Sequence, residues 1–129
     1  MIVVDCAAVV DALTAVEGTV ELRALLAGED LHAPALLDFE VVPALRGLTL
    51  RGNLSATRAQ GALTDFDDLA VRRWTSADAL RRRAFQLRAN MSAYDAAYVV
   101  LAEALDCPLL TPDLRLARSS GHLVRIQVR

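Results

Sequence analysis

The sequence predicts an α/β protein in three layers, with a central parallel sheet of about five strands covered on both faces by helices. Three observations lead there. Short apolar runs alternate along the chain with longer segments of helical spacing. The first of these runs, Ile2-Val3-Val4, is apolar without alternation, as expected for a central strand buried on both faces. Hydrophobic residues make up 54% and aromatics only 5%, so the core is built from Ala, Leu and Val. At 129 residues the chain is long enough to form such a core as a single domain, 1–129, without staples.

Taken in order, residues 2–4 form a strand ended by Asp5. Residues 7–13 and 19–26 are two helical pieces broken around Glu17-Gly18, with Gly28 as a stop. Residues 31–33 form a second strand, and Pro34 is placed to open the next helix at its first position. That helix, residues 35–50, presents Leu37, Val41, Leu45 and Leu48 on one side and ends at Gly52-Asn53. Glu40 stands among these apolar residues, and Pro43 cannot bond to the Phe39 carbonyl, so a bend is expected just after Glu40.

Ser55 caps a helix running to about Leu69, and Asp65, Asp67 and Asp68 at its end are expected as solvated acids rather than a metal cage. Residues 71–74 are a third strand, and Ser76 is the expected cap of a helix carrying Arg81, Arg82, Arg83 and Arg88. Residues 97–105 leave little polar surface, so their helix should be buried on most sides. Ser92-x-x-Asp95 matches a capping box in which Asp95 could be no more than a first-turn acid. Residues 107–110 are the fourth strand, followed by Thr111-Pro112-Asp113. A last helix over 114–119, a stop at Gly121 and a fifth strand over 123–128 complete the chain.

Composition removes several functions. The net charge is -2 and the pI about 5.6, so bulk electrostatics do not favour a polyanion. All 14 basic residues are Arg. Without Lys, a P-loop and the phosphate site of a receiver domain both lack their central residue, and no GxGxxG stretch supports dinucleotide binding. No run approaches the roughly 20 apolar residues of a membrane span, and the N-terminus lacks a basic region ahead of its apolar stretch. A cytoplasmic protein without membrane contact is expected, with Cys6 and Cys107 as reduced thiols.

The lone acids then stand out. Asp5 follows the first strand and Asp113 the fourth, while Glu40 and Asp95 lie in the first turns of helices next to strands two and four. Strand ends and helix starts share one edge of a parallel sheet, where ligands bind, so the four carboxylates can converge there. Four like charges together repel and raise one another's pKa values unless a cation neutralises them. Hard oxygen donors in an open cluster suit Mg²⁺ or Mn²⁺.

At this point the chain resembles the PIN domain, and within it the VapC-type toxins of bacterial toxin–antitoxin pairs. The resemblance spans Met1 to Arg129 and rests on MIVVD, LLDFEVVPAL, SAYDAAYVVLAEAL and PLLTPDLRLAR at their relative spacing. It implies the three-layer PIN-like fold and a metal-dependent ribonuclease whose acidic quartet is Asp5, Glu40, Asp95 and Asp113. Asp5 and Asp95 are expected as direct ligands, with Glu40 and Asp113 holding a second metal or ordered waters. Thr111 matches a residue that often lines the site in such toxins. One departure is local: many family members carry Ser or Thr shortly after the first Asp, and here the sequence is Asp5-Cys6-Ala7-Ala8. Asp11, Asp38 and Glu103 fall outside the quartet pattern. Asp11 and Asp38 are expected as surface acids, and Glu103 as a partner for an Arg.

RNA needs basic residues at the rim, and Arg115 and Arg118 are the nearest candidates; the alternative for Arg115 is a salt bridge to the quartet itself. The resemblance further implies a VapB-like antitoxin and a homodimer, the latter also favoured by surplus Leu and Val on the helices over 19–26 and 36–50. The competing expectation is a non-catalytic PIN-like module that only binds RNA or a partner. A haloacid-dehalogenase-like phosphatase is disfavoured because the position two after Asp5 is Ala7 rather than a second Asp.

Overall fold

A computed structural model of the chain describes residues 1–14 and 20–129. The expected break around Glu17-Gly18 lies outside the described residues. The elements run β1 (Ile2–Val4), α1 (Cys6–Thr14), α2 (Val20–Gly28), β2 (Leu31–Pro34), α3 (Leu36–Leu50), α4 (Ala56–Asp68), β3 (Val71–Trp74), α5 (Asp78–Gln86), α6 (Ala93–Leu105), β4 (Leu109–Thr111), α7 (Leu114–Ala117) and β5 (Ile126–Val128). All five strands are parallel, in the order β3-β2-β1-β4-β5.

That order fixes where a ligand can sit. From β1 the chain steps outward through β2 to β3, then returns to place β4 on the other side of β1. The direction of winding therefore reverses between β1 and β4, which opens a crevice beyond their carboxyl ends. Val3 pairs with Leu109 and Val4 with Leu110, so Asp5 leaves the sheet level with Thr111.

Burial follows the sequence pattern. Every residue of β1 and β4 is buried, and α6 buries Ala96, Tyr98, Val99, Val100, Leu101 and Ala102. α6 packs on β1, β2 and β4 and against α5, whereas α1 packs with α2, α3 and α4. Leu37, Val41 and Leu45 are the buried side of α3. No helix among the described residues is long and apolar enough to cross a membrane.

Several boundaries differ from the sequence expectation, each for a local reason. Pro34 does not open α3. It ends β2 opposite Trp74, and the N–H of Ala35 donates to the Trp74 carbonyl, so the chain stays extended one residue longer. Ser76 does not cap α5: Ala77 holds that position with no side-chain cap, and the Ser76 hydroxyl accepts from Arg81. β4 starts at Leu109 because Asp106, in the left-handed conformation at φ 50°, closes α6, and the Cys107 N–H donates to the Ala102 carbonyl. β5 begins only at Ile126, because the N–H of Val124 is taken by the His122 ring and Leu123 is fully exposed.

Candidate active site

Asp5 is placed by two elements at once. It ends β1, and its Oδ1 accepts from the Ala8 N–H at 2.8 Å, capping α1. It is 8% exposed. Burial pushes its carboxyl up to about 6, and the charges of Asp95 and Asp113 add to this, while hydrogen bonds from Thr111 and the Ala8 backbone pull the other way.

Glu40 comes from α3, and its Oε1 accepts from the Tyr98 hydroxyl at 2.7 Å. Burial and the neighbouring Glu40 push the Tyr98 phenol well above its ordinary value, so it stays a donor. Asp95 lies in the first turn of α6, where its N–H donates to Ser92 Oγ at 3.1 Å. Only that half of the expected capping box is formed; the Asp95 carboxylate turns instead to Arg115, 3.1 Å away. Asp113 caps α7 by accepting from the Arg115 and Leu116 backbone, and its Oδ2 lies 3.2 Å from the Arg115 guanidinium. Burial would raise the Asp113 carboxyl, but the hydrogen bonds from Arg115 and Leu116 outweigh it and hold it below the usual value.

All four acids line one cavity of about 300 Å³, together with Cys6, Ala7, Pro43, Ala44 and Tyr98. It opens at the β1/β4 crevice. Burial, then Glu40 and Asp5, push the Cys6 thiol up to about 12, which leaves it a neutral wall residue.

Other candidates are placed differently. Thr111 is fully buried, so it does not present its hydroxyl to a substrate; Oγ1 accepts from the Asp113 N–H at 3.0 Å, and the hydroxyl is near enough to Asp5 to favour its charged form. It supports two of the acids from beneath. Arg115 is 75% exposed yet spans Asp95 and Asp113. Arg118 is exposed and forms no ion pair among the described residues. Asp38 pairs with Arg73 at 3.1 Å, and Glu103 with Arg83 at 2.7 Å. Arg83 also donates to the Gly121 carbonyl at 2.8 Å.

The donor set fits a hard divalent cation: four carboxylates around one cavity, one of them already raised by burial and like charge. As the side chains stand, no group of three or more His, Cys, Asp and Glu among the described residues is gathered to hold an ion. In this arrangement the Arg115 guanidinium engages Asp95 and Asp113, while Tyr98 engages one oxygen of Glu40.

Comparison with known proteins decides the family. The PIN domain model matches residues 2–121. The chain belongs to the PIN-domain family. Ribonuclease VapC9 of Mycobacterium tuberculosis is 47% identical over 117 residues, covering 91% of this chain and 89% of its own length, so this PIN protein falls among the VapC ribonucleases. The structure of PAE2754 from Pyrobaculum aerophilum shares the PIN fold, with a TM-score of 0.69 and 24% identity over 97% of this chain and 81% of that one. A toxin–antitoxin complex from Klebsiella pneumoniae shares it at a TM-score of 0.65 and 14% identity, over 99% and 97% of the two chains.

One contributor to the PIN site, Tyr98, is not among the sequence-predicted site residues. Tyr98 carried a usable signal, since it stands three residues after Asp95 on the same side of α6. Arg83, which lies outside the cavity, gave no such signal, because its link to Glu103 and Gly121 depends on packing between separate elements.

Proposed function

We propose that this PIN protein is a metal-dependent ribonuclease toxin, cleaving RNA phosphodiester bonds at Asp5, Glu40, Asp95 and Asp113 with Mg²⁺ or Mn²⁺, and silenced by a VapB-like antitoxin. The observation that carries it is the convergence of four carboxylates on one cavity at the β1/β4 crevice. Its VapC relatives are named ribonucleases, which supports RNA as the substrate, and the Klebsiella neighbour is part of a toxin–antitoxin complex, which supports an antitoxin partner.

When bound, the metal would supply Lewis-acid activation of water and of the scissile phosphate. Asp5 and Asp95 would hold it, with Glu40 and Asp113 engaging a second ion or ordered waters. Asp5 must be ionised to serve, so loading should strengthen as pH rises through about 6. Thr111 and the Ala8 N–H keep its carboxylate aimed. Arg115 would leave Asp95 and Asp113 for the phosphate, and Arg118, one helical turn on, would extend that basic rim. Phe39, Val42 and Leu50, exposed on α3, support a homodimer.

A non-catalytic RNA- or partner-binding module is the second reading, favoured by the Arg115 pairs, which already neutralise two of the four acids. Cleavage of structured RNA by antitoxin-free protein separates the two. The wild type should cut only with Mg²⁺ or Mn²⁺, and Asp95→Asn should lose more than about 100-fold. Protein that binds RNA without cutting it at any metal concentration would favour the module, and cutting indifferent to both EDTA and Asp95→Asn would remove the metal centre.

A further inference from the structure

Glu40 is unlike its three companions. Asp5 and Asp113 are fixed by the backbone N–H groups they cap, and the backbone of Asp95 is fixed by Ser92. Glu40 has the longest side chain of the four and no such anchor. Its one hydrogen bond to a side chain among the described residues comes from Tyr98.

We propose that Tyr98 is a positioning residue for metal binding: its buried hydroxyl pins Oε1 of Glu40, so that Oε2 is the oxygen presented to a cation in the acidic cavity. This rests on the metal-binding assignment above. The Tyr98 ring is 3% exposed, packed within α6, and cannot follow solvent. At 2.7 Å its hydroxyl makes a short, charge-assisted hydrogen bond. A flexible Glu loses rotamer freedom when it closes on a metal. Tyr98 imposes that order beforehand, so less is lost on binding. Asp95 and Tyr98 stand three residues apart on α6 and both line the cavity, so one helix face would deliver a ligand and the group that orients another ligand.

A purely structural Tyr98, whose hydroxyl merely takes the nearest acceptor, makes different demands. Tyr98→Phe keeps the ring and removes only the donor. Mn²⁺ affinity of the purified protein, measured by calorimetry, should fall about tenfold in Tyr98→Phe. The rise in Tm on adding Mn²⁺ should shrink with it. In cleavage assays at limiting Mn²⁺, kcat should fall with the KM for RNA unchanged, and excess Mn²⁺ should restore kcat. In a Glu40→Gln background, adding Tyr98→Phe should change Mn²⁺ affinity by less than about twofold, because the pair acts as one unit. Equal Mn²⁺ affinity and equal Tm increments in wild type and Tyr98→Phe would overturn the proposal, as would a full tenfold effect persisting in Glu40→Gln. Wild-type protein that binds no Mn²⁺ would overturn the metal assignment itself, and this proposal with it.

Discussion

Asp5 should hold the metal-free protein in a less stable state than its sequence requires. Its carboxyl is pushed from 3.8 to about 6, chiefly by burial. Below pH 3.8 the group is protonated in folded and unfolded chains alike, and stability is unaffected. Between 3.8 and 6 the unfolded chain releases the proton more readily, so stability contributed by the neutral acid is lost. Above 6 the loss is complete, at about 3 kcal/mol. Asp5→Asn removes the charge while keeping the shape. Its amide oxygen can still accept from the Ala8 N–H, and its NH₂ can face the Thr111 hydroxyl. Urea denaturation in EDTA should therefore find Asp5→Asn more stable than wild type by up to about 3 kcal/mol at pH 7.5, with the difference vanishing near pH 4. Taking the difference between the two proteins cancels the opposite pH dependence of Asp113. Saturating Mn²⁺ should reverse the order, because only the wild type gains from a bound cation. A variant that is less stable than wild type in EDTA at pH 7.5, or a difference that ignores pH, would refute the assignment of Asp5 as a destabilised, cation-seeking acid.

Other perturbations separate the remaining parts. Arg115→Ala should raise Mn²⁺ affinity about two- to fivefold, the range for an exposed ion pair, while raising the KM for RNA; weaker Mn²⁺ binding by calorimetry would show that Arg115 does not compete for Asp95 and Asp113. Leu101→Ala, at a side chain 2% exposed on α6, should cost about 2–5 kcal/mol in urea denaturation without altering the metal-free spectrum of the folded protein. Phe39→Glu, at a position 77% exposed, should leave the fold intact and shift sedimentation from the proposed dimer to monomer; a variant that stays dimeric would place the interface elsewhere, and a monomeric wild type would overturn the proposed dimer.

The framework of the site was legible because it is set by local rules. Asp5 and Asp113 end parallel strands, Asp95 follows a Ser cap, and strand ends with helix starts share an edge in any sheet of this kind. Strand order was not legible, and it is the β1/β4 reversal that brings Asp5 and Asp113 together. Thr111 shows the same division: the sequence placed it next to Asp113, but its direction depends on the β1/β4 register, which buries it. Pro34 and Ser76 were misassigned because helix-start preferences lost to a parallel ladder in one case and to Arg81 in the other. For Arg115 both expected contacts are a matter of state, since one flexible side chain can pair with the quartet or with phosphate.

The most direct test of the quartet is the position of Mn²⁺ itself. Anomalous diffraction at the manganese edge from crystals equilibrated with MnCl₂ at pH 7.5 should give a peak in the cavity among Asp5, Glu40, Asp95 and Asp113. Carboxylate oxygens of Asp5 and Asp95 should lie about 2.0–2.3 Å from it, with the Arg115 guanidinium withdrawn from its present contacts. A peak at other residues, or none at millimolar Mn²⁺ with Arg115 still seated between Asp95 and Asp113, would contradict a metal centre at these four acids.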